Sequence, residues 1–206
     1  MENSSNNYCR ICELIVNPFY GGELRPCDTP FYGTKSFLVI PALGPLSVGH
    51  AMIVSKKHST SLLSMEKDIR EEFEGVCSVL SEKWPHEQLI FAEHGSSSID
   101  GSGPCIAHTH VNVIPGVPEE ALKLDQLGHS LLASGSLGRM PTMSESYFLI
   151  GRENVWSLYQ SGATTSQYLR QLLYRSFGLL HWDWRLLPNE AVAAETLEKW
   201  SSYLTL

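Results

Sequence analysis

The chain has 206 residues, 43% of them hydrophobic and 18% charged, which suits one domain or one domain with a sizeable extension. No apolar run approaches the ~20 residues of a membrane-spanning helix, and the polar segment 1–7 has no secretion-signal pattern. Fifteen Lys and Arg against 22 Asp and Glu give a net charge of −7, and the longest basic cluster is Lys56-Lys57. That balance excludes general binding of a nucleic-acid backbone, while a small anion held by a few local donors remains compatible with it.

In chain order, residues 1–8 read as a disordered tail. Segment 17–36, rich in Pro, Gly and aromatics, reads as loop with at most one short strand. Residues 37–41 and 51–55 predict two strands joined by a long turn-rich loop. Ser64 is a candidate N-cap for a helix carrying Ile69, Phe73, Val76, Leu80 and Trp84 at helical spacing and stopped by Pro85. A third strand is expected at 88–92, a Gly/Ser loop at 95–104, and a fourth strand at 108–114 ending at Pro115-Gly116. Residues 117–145 read as loop with one short helix near 122–127, and 147–151 as a fifth strand. Two helices then follow near 167–177 and 189–203, the second with Asn189 as cap and Val192, Leu197 and Trp200 as core candidates. Strands first and helices last predict an α+β fold. The expected division is a domain over 9–150 and a helical extension over 151–206 packed on it.

The chemistry concentrates in His108-Thr109-His110-Val111-Asn112-Val113-Ile114-Pro115. On a strand, alternation places His108, His110 and Asn112 on one face, and Thr109, Val111 and Val113 on the other. Three polar side chains on one face beside a Gly/Ser loop suggest a site, against the simpler reading of an exposed strand. Cys9-Arg10-Ile11-Cys12 is a second signal. Two thiolates at this spacing can share a tetrahedral Zn²⁺, although a lone pair of this kind also fits redox or accidental readings; His58 and His108 are the candidate remaining ligands. The five cysteines, an odd number without a secretion signal, argue against a disulfide framework and for the cytoplasm.

Gly49-His50-Ala51-Met52-Ile53-Val54-Ser55-Lys56-Lys57-His58 and His108-Thr109-His110-Val111-Asn112-Val113-Ile114-Pro115 together resemble the GH strand and HxHxH signature of the histidine-triad (HIT-like) superfamily. The order CxxC, GH…H, HxH is shared with its zinc-containing members, galactose-1-phosphate uridylyltransferases among them. The resemblance covers about residues 9 to 116. It implies a five-stranded antiparallel sheet with helices packed on one side, in a homodimer. It implies a structural Zn²⁺ on Cys9, Cys12, His58 and His108. It also implies that His110 attacks the α-phosphorus of a nucleotide, and that the nucleotidyl-histidine is released to water, phosphate, an amine or a sugar phosphate.

Neutral imidazole is a nucleophile near pH 7, and backbone N–H groups of the 95–104 loop could cradle phosphate oxygens. A plain flexible connection explains that loop equally well. The third triad position holds Asn112, an amide that can hold a phosphate oxygen but cannot act as an acid. Uridylyltransferase-like and dinucleotide-phosphorylase-like members carry Gln there, which favours a transferase or phosphorylase over a simple hydrolase. Glu93, Ser102 and Gln167 complete the expected substrate contacts, with a solvated strand end as the rival reading of Glu93. His50 reads as structural, and 181–185 as a packed connection in preference to a base-stacking site. The alternative from another class is a zinc-stabilised nucleotide-binding module whose catalysis is reduced or lost. The expected partner is a small nucleotide, with no nucleic acid and no membrane.

Overall fold

The computed structural model describes residues 9–17, 24–96, 106–162 and 164–204. Among these described residues there are four α-helices, α1 (Arg10–Val16), α2 (Lys67–Lys83), α3 (Tyr168–Leu173) and α4 (Glu190–Leu204). The same residues form eight strands, β1 (Tyr32–Gly33), β2 (Phe37–Pro41), β3 (Ala51–Ser55), β4 (Leu89–Gly95), β5 (His110–Pro115), β6 (Leu131–Gly135), β7 (Tyr147–Arg152) and β8 (Val155–Gln160). They form one antiparallel sheet in the order β1-β2-β3-β5-β4-β7-β8-β6.

The α+β class is as expected, but the sheet has eight strands where five were expected. The helices also cover both faces. On one face Phe37, Val39, Ile53, Val111, Val113, Phe91, Leu149 and Trp156 pack against Phe73, Val76 and Leu80 of α2 and Trp200 of α4. On the other, Ile90, Ala92, Ile114, Phe148 and Ile150 meet Leu169 and Leu173 of α3, while Ile40, Met52 and Val54 meet Ile11 and Leu14 of α1. This double cover explains the sequence of the central strands. A strand buried on one face alternates, whereas β3 and β4 are buried at every position and read as near-continuous apolar runs.

Several local expectations change. β6 lies in the segment expected to be loop and pairs with β8 across a register shift; its exposed Leu131 and Leu132 alternate too weakly to announce a strand. The expected boundary at 150/151 falls inside β7, and the segment after it contributes β8 before its helices. Glu66, not Ser64, precedes α2, because Ser64 closes a short 3-10 turn capped by Ser61. Asn189 precedes α4, but its side chain donates to the Pro45 carbonyl (2.8 Å). Within α4, Ala193, Thr196 and Trp200 are buried, and Val192 and Leu197 only partly so.

α4 also organises the GH turn. Thr196 Oγ1 accepts from Gly49 N–H (3.0 Å), and Trp200 Nε1–H donates to the Gly49 carbonyl (3.0 Å). Gly49 has φ +91°, and a Cβ there would lie 2.3 Å from the Trp84 ring. Only glycine meets both conditions.

Candidate functional site

Cys9 stands immediately before α1 and Cys12 in its first turn, so the three-residue spacing puts both thiols on one side of the helix start. His58 follows β3, and His108 lies in a bend two residues before β5. The expectation that His108 belongs to the strand is therefore corrected; its ring crosses to the end of β3. Its Nε2 lies 2.7 Å from the Ser55 carbonyl, which can only accept, so Nε2 carries the hydrogen and Nδ1 the lone pair. That lone pair faces Cys9 Sγ at 3.2 Å and Cys12 Sγ at 3.6 Å. Cys12 Sγ lies 3.3 Å from His58 Nδ1, and one donor atom from each of the four residues falls within 4.8 Å of the others. Four N and S ligands around a tetrahedral Zn²⁺ would stand roughly 3.3–3.8 Å apart. The donor set and the carbonyl that fixes the His108 tautomer thus both fit zinc. Burial lowers the His108 pKa to about 4 and raises the Cys12 thiol to about 11. The imidazole is therefore ready as a ligand, whereas a cation would have to draw the proton off the thiol.

β5 carries the second half of the site. Pairing of Val54 with His110, Met52 with Asn112 and Ala92 with Asn112 puts these side chains on the face away from α2. His110 is buried, and burial lowers its pKa. Its Nδ1 lies 2.8 Å from the His108 carbonyl, so Nδ1–H is engaged and Nε2 carries the lone pair. The ring lines a cavity shared with His94, Asn112, Gln167, Arg170 and Trp184. Asn112 is held from behind. Leu46 N–H donates to His50 Nδ1 (3.0 Å), so His50 Nε2–H donates to Asn112 Oδ1 (3.2 Å), and Asn112 Nδ2 donates to the Ala92 carbonyl (3.3 Å). His50, lowered to about 3 first by burial and then by the Arg170 charge, is a neutral brace, in keeping with its structural reading.

No protein-family model matches the chain. A curated "uncharacterized HIT-like protein" of Borreliella burgdorferi is 33% identical over 78 residues, 35% of this chain and 55% of the relative. The chain is similar to histidine-triad-like proteins over those 78 residues. It spans about half the length of that relative. A 3-isopropylmalate dehydratase small subunit of Arabidopsis thaliana is 32% identical over 98 residues, 48% of this chain and 32% of that protein. A zinc-bound histidine triad protein of Mycobacterium smegmatis has 18% identity and a TM-score of 0.40, over 56% of this chain and 79% of that one.

Not every expected substrate contact reaches the cavity. Glu93 does not. It pairs with Leu149 and points to the opposite face of the sheet from His110. There it is buried, accepting from Leu62 N–H (2.9 Å) and from the Tyr147 hydroxyl (2.6 Å), and burial raises its pKa to about 7. Both the substrate contact and the solvated strand end are corrected, because β4 continues through Gly95 with its whole length covered. Gln167 lines the cavity, but its side chain is committed to Asp183 Oδ1 (2.9 Å) and to Trp184 N–H (3.2 Å), so it shapes the wall. Ser102, Cys105 and the stretch 97–105 of the Gly/Ser loop lie outside the described residues.

Two cavity residues were missed. His94 is the neighbour of Glu93 on β4, and counting by twos from Ala92 puts it on the His110 face; alternation would have found it once β4 was paired with β5. Burial lowers its pKa to about 4. Arg170 is buried with 9% of its surface exposed, its Nε donating to the Trp182 carbonyl (2.8 Å) and its Nη1 to the Gly44 carbonyl (2.6 Å). No spacing rule joins residue 170 to residue 110, and only the docking of α3 does so. Trp184 also lines the cavity, so the 181–185 connection contributes a wall to the site.

Proposed function

We propose that this chain is a nucleotide-processing enzyme that acts at an α-phosphate through a covalent nucleotidyl-histidine on His110, with one structural Zn²⁺ held by Cys9, Cys12, His58 and His108. The observation that carries the reading is the His110 tautomer. A backbone carbonyl 2.8 Å from Nδ1 leaves the Nε2 lone pair on a buried ring at the wall of a cavity that also holds a cation, Arg170. Burial keeps the ring neutral, which is the nucleophilic form. The carbonyl holds the ring orientation and takes up the charge on Nδ1–H when Nε2 bonds to phosphorus.

Zinc, when bound, would be structural, since four protein ligands close the coordination sphere. It would fix the His108 segment, and the carbonyl that aims His110 belongs to that same residue. The amide at Asn112 favours transfer or phosphorolysis over plain hydrolysis. A homodimer in the cytoplasm with a small nucleotide as substrate completes the proposal; no described helix is long and apolar enough to cross a membrane.

The test is chemical trapping. Wild type mixed with α-³²P-labelled nucleotides and quenched without acid should carry label on protein, and acid should release it, because phosphoramidates are acid-labile. His110→Gln should retain zinc and fold, trap no label, and lose on the order of a thousandfold or more in turnover. Unlabelled wild type together with full turnover in His110→Gln would overturn the assignment and favour a binding module.

A further inference from the structure

A cleft of about 400 Å³ lies between the turn before β2, the segment after β3 and the start of α2. It shares no lining residue with the His110 cavity, and it includes Met65 and Ile69, which pack on the core cluster of the α2 face. Lys35, Lys56 and Lys57 line it against one carboxylate, Glu66. In a chain of net charge −7 that is a local reversal of sign. Among the described residues none of these three ammonium groups is ion-paired, whereas Lys67 and Lys199 each meet a glutamate. Unpaired cations around a concave surface set up a positive potential there.

The walls of the cleft are tied together. Lys56 N–H donates to the Ser36 carbonyl (2.8 Å), and Lys56 Nζ donates to the Thr34 carbonyl (2.5 Å). Ser36 N–H (2.7 Å) and the Ser36 hydroxyl (2.6 Å) both donate to the Glu72 carboxylate of α2. The turn that carries Lys35 is thereby joined to β3 and to α2, so little ordering remains to be done when a ligand arrives. The hydroxyl hydrogens of Ser55, Ser59 and Ser64 are directed at the carbonyls of Lys57 (2.8 Å), Ser61 (3.2 Å) and Ser61 (2.7 Å). The ammonium groups are therefore the main donors left to a ligand.

His58 supplies one donor more. Its Nδ1 faces Cys12 Sγ at 3.3 Å, so with Nδ1 directed at the metal position Nε2 carries the hydrogen. The matching hydrogen of His108 goes to the Ser55 carbonyl, whereas His58 Nε2 has no hydrogen-bond partner among the described residues. The His58 ring is exposed and lines the cleft. A metal-ligating imidazole is held in place when that hydrogen finds an acceptor. We propose that the cleft binds a phosphate group, free or at the end of a small ester, through the ammonium groups of Lys35, Lys56 and Lys57 and through His58 Nε2–H. An ammonium is a point charge whose donors turn freely, which suits a tetrahedral oxyanion. A planar carboxylate is better met by a guanidinium fork, and the cleft lining has none. The site lies apart from His110 and does not depend on the reaction proposed there.

The test uses the ¹⁵N-labelled full chain, loaded with zinc and freed of excess metal. It is titrated with inorganic phosphate and with glycerol 3-phosphate, at an ionic strength held constant with sodium chloride. Backbone amide signals of Lys35, Ser36, Lys56 to Ser59 and Ser64 to Glu66 should move along one saturable curve, and the His58 ring signals should follow it. The double variant Lys35→Met/Lys57→Met should bind phosphate at least about tenfold more weakly, because two charge-assisted contacts are lost. Glu66→Gln should bind it about two- to threefold more tightly, because a like charge leaves the cleft. These side chains are exposed, so signals elsewhere in the chain should stay where they are in wild type.

Saturation by both ligands supports the proposal and shows that the site reads a terminal phosphate group. Saturation by inorganic phosphate alone supports it and shows that the ligand is the free anion. Shifts that sodium chloride reproduces, or that never saturate, would overturn it, since they would report screening of charges and no site. So would shifts confined to β5, or a double variant that binds phosphate as tightly as wild type. If the double variant does not fold, Lys57→Met and the wild-type titration decide in the same way. Failure of label trapping on His110 would leave this proposal standing, and its own failure would leave the His110 reading untouched.

Discussion

Glu93 gives the sharpest test of the buried network behind the site. Its carboxyl is enclosed by Leu62 N–H and the Tyr147 hydroxyl, which in turn meets Ser61 Oγ at 2.9 Å and Leu63 N–H at 3.2 Å. Burial raises its pKa from 4.5 to about 7, against the smaller lowering by those two hydrogen bonds. The folded state therefore keeps the proton up to about pH 7, while the unfolded chain releases it near pH 4.5. Between these values the folded state binds more protons, so the Glu93 contribution to stability falls as pH rises and stays low above pH 7. The shift corresponds to about 3 kcal/mol, most of which develops between pH 5 and pH 8.

Glu93→Gln should remove this dependence at little other cost. Its amide oxygen can accept from Leu62 N–H, and its amide nitrogen can donate to the Tyr147 oxygen while that hydroxyl turns to Ser61. Urea unfolding of wild type and variant at pH 5, 6, 7 and 8, both metal-saturated, measures the difference. The variant should gain about 2–3 kcal/mol relative to wild type from pH 5 to pH 8. Shifts of His50, His94 and His108 have the opposite sign but occur in both proteins and cancel. A difference that is flat with pH, or that falls, would refute the assignment of a protonated Glu93.

Cys12→Ser should lose bound zinc and melt well below wild type, and chelator should lower the Tm of wild type but leave the variant unmoved, because metal binding is also folding free energy. Gly49→Ala, with φ +91° and a Cβ 2.3 Å from Trp84, should cost about 3 kcal/mol or more in denaturant unfolding. Asn112→His should raise hydrolysis relative to transfer, since an imidazole can act as an acid where the amide cannot; equal change in both activities would remove that role from position 112.

Much of the site was legible because its signals are local. Cys9 and Cys12 share a helix turn, His110 and Asn112 share a strand face, and Gly49-His50 mark a strand start, so short-range spacing and the family resemblance placed them together. The central strands were legible as apolar runs, but their number was not. β6 has exposed leucines and a register shift, and an edge strand makes half the contacts that impose a pattern on a central one.

What the chain alone determined is the chemistry available: two thiols, two imidazoles, a nucleophile candidate and an amide where an acid could stand. What only the tertiary structure decided is which side chains share a space. Glu93 and His94 are consecutive, yet strand pairing sends one to Leu62 and Tyr147 on one face and the other into the His110 cavity. Arg170 reaches that cavity from 60 residues further along the chain because Leu169 and Leu173 dock α3 on the outer face of β4, β5 and β7, carrying the guanidinium to the Gly44 carbonyl. A strand's period of two is written in the sequence; which strands neighbour each other, and which helix closes over them, comes from burial of whole faces, to which distant residues contribute together.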